Sequence, residues 1–569
     1  MMPRTFNLAD LFAITAATVP EREAIVCGDV RRTFAELEQR AEKLALHLRA
    51  QGVVAGDTVG IQMYNGPEYI ETFFAALKLK ALPFNINYRY VADELRYLYD
   101  NAAMKALVFG AAFETRVAEA LATAAGVKVL LRVGNAEDNT SAGVKATAYE
   151  DAITQGTGSL ADIALSSDDL SLLYTGGTTG MPKGVLWPHA ALFFGSLGGG
   201  GLYAGGVPIE HPEELAERIR TSFQMRNLPA APLMHAAALW ATLIWLYAGH
   251  TVVLNDQAEF SAEHLWDVVG RERLNSISIV GDAMAVPLLD ALRANPTRWD
   301  VSTIMNIGSG GAVFSAHVKE GLSALLPNAV MTDSMGSSES GQVGLGSRTD
   351  AGGLLSIPPR PDVTVMRVEA GAPRLAAVGE MGFMARSGHV AVGYYGDALK
   401  SAATFTRIDG RNYAITGDAA RLEADGSVTV FGRGSNCINT GGEKVFPEEV
   451  EEALRRHATV ADVLVVGVAD ERWGQKVVAL VALRPMAAQG DADINTNTLR
   501  AHCREHLAGY KVPKEIVFVD HVMRSPAGKA DYRWAKATAE ARLCGPTVIA
   551  IALNRDSLKQ GIPAGRLPP

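Results

Sequence analysis

Cysteine is scarce in this chain: four among 569 residues, at Cys27, Cys437, Cys503 and Cys544, with no C-x-x-C spacing. That scarcity argues against a disulfide framework or a zinc site and points to a reducing compartment, so a cytoplasmic location is expected. Positive charge is not in excess either. Lys and Arg number 53 against 62 Asp and Glu, a formal net charge of −9, which gives no electrostatic ground for nucleic acid or an acidic membrane surface as partner. Long apolar runs are missing. The longest, between His235 and His250, holds 14 residues. A spanning helix needs ~20, so this stretch predicts a buried core helix and no membrane span. The N-terminal stretch is interrupted by Asp10 and does not read as a signal peptide. What is present is ordinary globular composition, 48% hydrophobic and 20% charged. Length over ~150 gives roughly three to four domain-sized units. Glycine is abundant, 56 residues, and predicts loops where backbone closes on a ligand.

Residues 33–52 predict a helix. Thr33 and Glu36 make a capping-box pattern, Leu37, Ala41, Leu44, Ala45 and Leu48 share one face, and Gly52 stands where the helix would stop. Short β-branched runs then alternate with helical stretches, at 252–254, 276–280, 304–307 and 330–332. The alternation predicts an α/β fold, a large N-terminal domain of helix-covered, mainly parallel sheets. The glycine patch 198–206 has no partner motif and reads as a loop or insertion. Near Gly432 the pattern changes to helix 446–457, strands 460–468 and 476–483, helix 497–507 and strand 515–519. This predicts a small C-terminal α+β domain on a hinge. The expected boundaries are a large domain 1–433, a small mobile domain 434–542 and a tail 543–569 of no assigned role.

The strongest pattern runs from Leu172 to Gly184, Leu-Leu-Tyr-Thr-Gly-Gly-Thr-Thr-Gly-Met-Pro-Lys-Gly. An apolar strand feeds a loop of glycines, threonines and one lysine. Glycine-freed backbone N–H groups, threonine hydroxyls and a cation together make a cradle for phosphate oxygens. It is not a Walker A loop, because the lysine does not follow glycine in G-x-x-x-x-G-K-[ST].

With this string the chain resembles the adenylate-forming acyl-CoA synthetases, a family similar to luciferases and to peptide-synthetase adenylation domains. Further segments extend the resemblance in order along nearly the whole chain. Pro232-Leu233-Met234-His235 looks like the acyl-pocket segment and Gly308-Ser309-Gly310-Gly311-Ala312 like the adenine-backing loop. Ser334-Met335-Gly336-Ser337-Ser338-Glu339 stands where the family has a YGxTE-type motif. Tyr413 to Asp418 is similar to the ribose-binding segment. Gly432-Arg433, Gly441 to Lys444 and Pro447 to Glu451 resemble the hinge and thiolation region, and Ser525-Pro526-Ala527-Gly528-Lys529 the C-terminal catalytic lysine segment.

The resemblance implies roles. ATP would be held by Thr175, Gly176, Gly177, Thr178, Thr179 and Lys183 in the loop, and by Gly310, Gly311 and Ala312 at the adenine. Gly336, Ser337, Ser338, Asp418, Arg433 and Lys529 would complete its site. An ionised Asp418 can accept two hydrogen bonds from ribose hydroxyls. Glu339, with Thr175, would hold Mg2+, which takes few protein carboxylates and shares the substrate's phosphates. Lys529, Thr178 and Glu339 would be catalytic, Lys529 bridging the α-phosphate and the attacking carboxylate as charge gathers there. His235, Gly281, Asp282 and Met335 would line the acyl pocket. Ser435 would be the hinge, and Gly441 and Gly442 the thiolation face. Met335 departs from the aromatic residue common in the family, Ser435 from a hinge Asp or Lys, and Ser338 from threonine.

The implied activity is a two-step ligation using ATP, Mg2+ and CoA on a small-molecule carboxylic acid. Segments 279–284, 438–444 and 525–536 are similar to bacterial ligases for long fatty acids or steroid side-chain acids. Small residues at Ala236–Ala238 and Gly308–Gly311 leave room for a bulky or long-chain acyl group. Transfer to a carrier protein, or binding of acyl group and nucleotide without catalysis, are the alternatives. A homodimer is left open.

Overall fold

The structure, a computed structural model, describes all residues except 1–3, 123–125, 135–143, 176–181, 202–205, 313, 345–346, 349–354, 370–371, 441–442, 471–472, 485–494, 508, 525–528 and 545–569. The chain divides into two compact units. The first comprises Met1–Gly346, Arg360–Leu375 and Ala385–Thr416, and the second Ser347–Pro359, Ala376–Met384 and Gly417–Pro569.

The first unit is the expected α/β body. An eight-stranded sheet runs in the order Gly341–Gly344, Val330–Ser337, Asn306–Gly310, Ser276–Ile279, Arg226–Pro229, Thr251–Leu254, Glu23–Cys27, Val30–Thr33. Its interior pairs are parallel and only the two edge pairs are antiparallel. A five-stranded parallel sheet is built on Thr58–Gln62, whose five residues are all buried. Continuous burial is what a parallel strand covered on both faces requires. A small antiparallel sheet joins Leu170–Thr175, Lys183–Pro188 and Gly393–Tyr394.

The helix expected at 33–52 runs Phe34–Ala50. Thr33 Oγ1 accepts from Glu36 N at 3.2 Å, and Thr33 N donates to Glu36 Oε2 at 2.8 Å. The apolar run after His235 forms the helix Ala236–Tyr247, whose Leu239, Leu243, Leu246 and Tyr247 are buried in the core with Phe12 and Phe74. Among the described residues no helix is long and apolar enough to cross a membrane.

Two strand expectations shift. The strand expected at 304–307 begins at Asn306, because Ile304 closes a turn onto Val301 O at 3.2 Å. The strand expected at 330–332 continues to Ser337. It leaves its parallel neighbour after Ser334 and pairs antiparallel with Gly341–Gly344. Asp333, Ser334 and Gly336 are poor strand formers, so the pairing and not propensity extends it.

In the second unit, Val460–Asp470 and Gly474–Leu483 form a long hairpin, with Ile438–Thr440, Glu443–Val445 and Glu515–Phe518 in the same sheet. Alternation along the hairpin sorts its side chains to two faces. Val463, Val465, Val477, Ala479 and Val481 pack with Val450, Leu454, Leu499 and Cys503. Leu464, Val466, Val468, Val478 and Leu480 pack with Ala535 and Ala539. This is the α+β fold expected for residues 434–542, while the second unit also takes in Ser347–Pro359, Ala376–Met384 and the chain from Gly417.

Candidate active site

The Thr/Gly string is held at its base by a strand pair. Thr175 ends one strand and Lys183 begins the next, and the two are direct partners in the antiparallel ladder. Gly176, Gly177, Thr178 and Thr179 lie outside the described residues. Lys183 Nζ stands over the ring of Tyr394, 5.1 Å from its centroid. Tyr394 is placed there because Gly393–Tyr394 pairs with the Lys183–Pro188 strand, Tyr394 opposite Val185. Its hydroxyl donates to Glu339 Oε1 at 2.9 Å. Lysine, phenol and carboxylate therefore form one connected line beside the loop's base.

The turn that carries Glu339 is fastened at three consecutive carbonyls. Trp187 Nε1 donates to Ser338 O at 2.8 Å, Ala391 N to Glu339 O at 3.3 Å and Arg386 Nη1 to Ser340 O at 3.0 Å. The hydroxyl of Ser337 accepts from Ser340 N at 3.0 Å, closing the turn from inside. Arg386 is buried, its Nη1 also donating to Gly195 O and its Nε to Asp362 Oδ2 at 3.0 Å. Burial lowers the Arg386 basicity, with Asp362 opposing. Gly336 is required by close approach: a Cβ there would stand 2.4 Å from Gly341 O.

Four further expected segments leave the carboxyl ends of neighbouring parallel strands, where open α/β sheets present their ligand crevice. His235 follows Arg226–Pro229 and caps the helix Ala236–Tyr247. Gly281 and Asp282 follow Ser276–Ile279, Gly310, Gly311 and Ala312 end Asn306–Gly310, and Met335 lies on Val330–Ser337. Gly311 is exposed with φ +86°, a left-handed conformation that suits glycine. The Ser309 hydroxyl accepts from Gly281 N at 2.9 Å, linking two of these loops. Asp282 Oδ1 accepts from Ser315 N at 2.9 Å, so this carboxylate also fixes the start of the helix Ala316–Leu325.

The remaining expected residues belong to the second unit. Asp418 is buried and sits directly opposite Arg433 in the strand pairing. Ser435 lies in the 3-10 turn Gly434–Asn436. Gly441 and Gly442 lie outside the described residues. Lys529 is exposed, beside an isolated bridge between Arg524 and Ala530. Arg524 is anchored to Asp462 on the hairpin by two hydrogen bonds of 2.8 and 2.7 Å.

A model described as AMP-binding enzyme matches residues 12–395, and one described as AMP-binding enzyme C-terminal domain matches 449–529. The chain belongs to the AMP-binding enzyme family. It is 42% identical, over 95% of its length and 98% of the relative, to a medium/long-chain-fatty-acid–CoA/3-oxocholest-4-en-26-oate–CoA ligase of Mycobacterium marinum. A 3-oxocholest-4-en-26-oate–CoA ligase of Rhodococcus rhodochrous is 42% identical, with 93% of this chain and 95% of that one covered. Among solved structures, the anthranilate CoA ligase AuaEII in complex with anthranoyl-AMP superposes with a TM-score of 0.78 at 22% identity, over 95% and 99% of the two chains, which shows the fold.

Three residues of this AMP-binding enzyme carry the site without having been singled out in the sequence. Tyr394 and Arg386 position the Glu339 turn as described. Asn85 is the third. Its Nδ2 donates to Tyr174 O at 2.8 Å and Met234 O at 2.6 Å, and its Oδ1 accepts from Tyr174 N at 2.8 Å. One buried amide thus ties the root of the Thr/Gly loop to the segment before His235. An asparagine inside the apolar string Leu82-Pro83-Phe84-Asn85-Ile86 was the available signal, since a buried amide needs partners.

Proposed function

We propose that this AMP-binding enzyme is an ATP-dependent acyl-CoA ligase for a bulky or long-chain carboxylic acid, a fatty acid or a steroid side-chain acid. The observation that carries the reading is the Lys183–Tyr394–Glu339 line at the root of the Thr/Gly loop, which sets a cation and a held carboxylate beside a phosphate cradle. The activities for which the mycobacterial and rhodococcal relatives are named supply the acyl class.

In the first step a carboxylate oxygen of the acid attacks the α-phosphorus of ATP. The bond from that phosphorus to the pyrophosphate oxygen breaks, and acyl-adenylate and pyrophosphate result. Lys183 and the loop hydroxyls bind the phosphates. Lys529 offsets the repulsion between the α-phosphate and the incoming carboxylate. Oxygen donors suit Mg2+, and Glu339, fixed by the Tyr394 hydroxyl, fits as its carboxylate with Thr175 as hydroxyl partner. Bound there, the ion would neutralise the departing pyrophosphate. Asp418 takes the ribose hydroxyls, and Arg433 ribose or phosphate.

In the second step the CoA thiol loses its proton to solvent and its sulfur attacks the acyl carbonyl. The carbon–oxygen bond to AMP breaks, leaving thioester and AMP. A turn of the small domain about Ser435 would withdraw Lys529 and present Gly441 and Gly442, so that two chemistries share one pocket.

The test is AMP release with and without CoA over a panel of fatty, aromatic and steroid side-chain acids. CoA-dependent thioester formation with long-chain or steroid acids is expected. Pyrophosphate release that is equal with and without CoA and yields no thioester would overturn the reading in favour of a carrier-protein acceptor.

A further inference from the structure

The scarcity of cysteine says nothing about a metal site built from imidazoles, and the second unit contains a candidate. His502, Glu505 and His506 occupy positions i, i+3 and i+4 of the helix Thr496–His506 and therefore share one face. One donor atom from each lies within 4.8 Å of the other two. Cys503, inside the same string, is buried in the core and takes no part. The rings of His502 and His506 stand 4.8 Å apart at 71°, and His457 stands edge-on to His502 at 5.1 Å.

We propose that His502, Glu505 and His506, none of them among the residues assigned to adenylation, bind a divalent transition cation of the zinc class.

The arrangement of His502 supports this. Its Nε2 lies 3.0 Å from Ala453 O. A carbonyl can only accept, so Nε2 carries the proton and Nδ1 presents its lone pair. A ring whose second nitrogen donates to a backbone carbonyl is oriented and tautomer-fixed in the way metal-ligating histidines usually are.

Distances decide whether the set can close. Zinc–nitrogen bonds of ~2.0–2.1 Å put tetrahedral donors roughly 3.3 Å apart. The gap from 4.8 Å is roughly an ångström and a half. Glu505 and His506 are exposed and half-buried His502 is the fixed member, so rotation of the two outer side chains can make up that distance. Two imidazoles and one carboxylate suit zinc, nickel or copper and not Mg2+, so this cation is distinct from the one that accompanies ATP.

The experiment uses the full chain, stripped of metal and without nucleotide, titrated with Zn2+ alone against a chromogenic chelator. A parallel melting curve is recorded with and without Zn2+. One equivalent per chain is expected, with a raised melting midpoint. His506→Ala should weaken uptake at least ~10-fold and abolish the melting shift, and Glu505→Gln should weaken it less. Both positions are exposed, so neither variant threatens folding, whereas His502→Ala would lose the Ala453 tie. No uptake by the wild type, or uptake unchanged in His506→Ala because zinc binds elsewhere, overturns the proposal. Neither outcome bears on the ligase reading, which the CoA-dependent screen tests without added zinc.

Discussion

The Tyr394 hydroxyl donates to Glu339 Oε1 at 2.9 Å, while the face of the same ring carries Lys183 Nζ 5.1 Å from its centroid. One buried tyrosine thus aligns the carboxylate proposed for Mg2+ with the lysine proposed for phosphate. A hydrogen bond to a charged group contributes ~1.5–3 kcal/mol, or roughly 10- to 100-fold in rate where it acts on the transition state. Tyr394→Phe keeps the ring and removes only the donor. Pyrophosphate release should slow by about that factor and need more Mg2+ to saturate. A variant as fast as wild type at low Mg2+ would remove Tyr394 from the site.

Lys529 lies in the second unit, next to Ala530, which bridges to Arg524. Its proposed work is confined to adenylation. Lys529→Ala should cut pyrophosphate release on the order of 10²–10³-fold, while thioester formation from synthetic acyl-adenylate and CoA stays within a few-fold of wild type. Parallel assays of the two half-reactions decide the point. Equal loss in both would count against the assigned role.

What could be read in the sequence was what is written contiguously. The apolar strand before the Thr/Gly loop, the capping box at Thr33 and Glu36 and the strands at 460–468 and 476–483 each need only neighbouring residues, and the structure has these strands and the helix. Glu339 was legible through its motif, but its fixation was not. Tyr394 is 55 positions further on, and Asn85 is 89 positions from Tyr174. Each acts through one isolated side chain, and a lone tyrosine or asparagine leaves no periodic trace. The strand through Met335 escaped because tertiary pairing sustains a stretch whose own residues disfavour it. The imidazole cluster escaped because metal-site reasoning followed cysteine.

Arg386 holds the carbonyl next to Glu339, and Asp362 is the counter-charge it needs when buried. Burial pushes the Asp362 carboxyl up, but two Arg360 hydrogen bonds of 2.9 Å and the charges of Arg360 and Arg386 hold it below the usual range. A depressed carboxylate contributes stability that is present above its unfolded value, ~3.9, and lost as pH falls through the lower folded value. Asp362→Asn should therefore cost on the order of 3 kcal/mol near neutrality by stranding a buried guanidinium. The gap between wild type and variant should begin to narrow below about pH 4 and keep narrowing as pH falls through the lower folded value. Denaturant midpoints at pH 7 and pH 3 measure both. A gap that is constant with pH would mean that the pair is not what stabilises the turn.

Histidine titration works in the neighbouring pH window. Burial brings His189 and His250 down to about 4. His189 Nδ1 accepts from Leu8 N at 3.3 Å, which ties the N-terminal helix to the start of the helix that His189 opens. In the unfolded chain both rings take a proton near ~6.5, so the unfolded state binds more protons between the two values. Stability from these rings is complete above ~6.5 and is lost as pH falls toward the folded value, by ~1.4 kcal/mol per pH unit for each ring. His189→Gln keeps an acceptor and cannot titrate. It should flatten part of the fall in melting midpoint between pH 6.5 and 4.5, with His250 and the other histidines that burial lowers, His47, His389 and His502, supplying the rest. An unaltered slope in His189→Gln would mean that His189 takes up its proton without opening the fold, and that the acid sensitivity arises elsewhere.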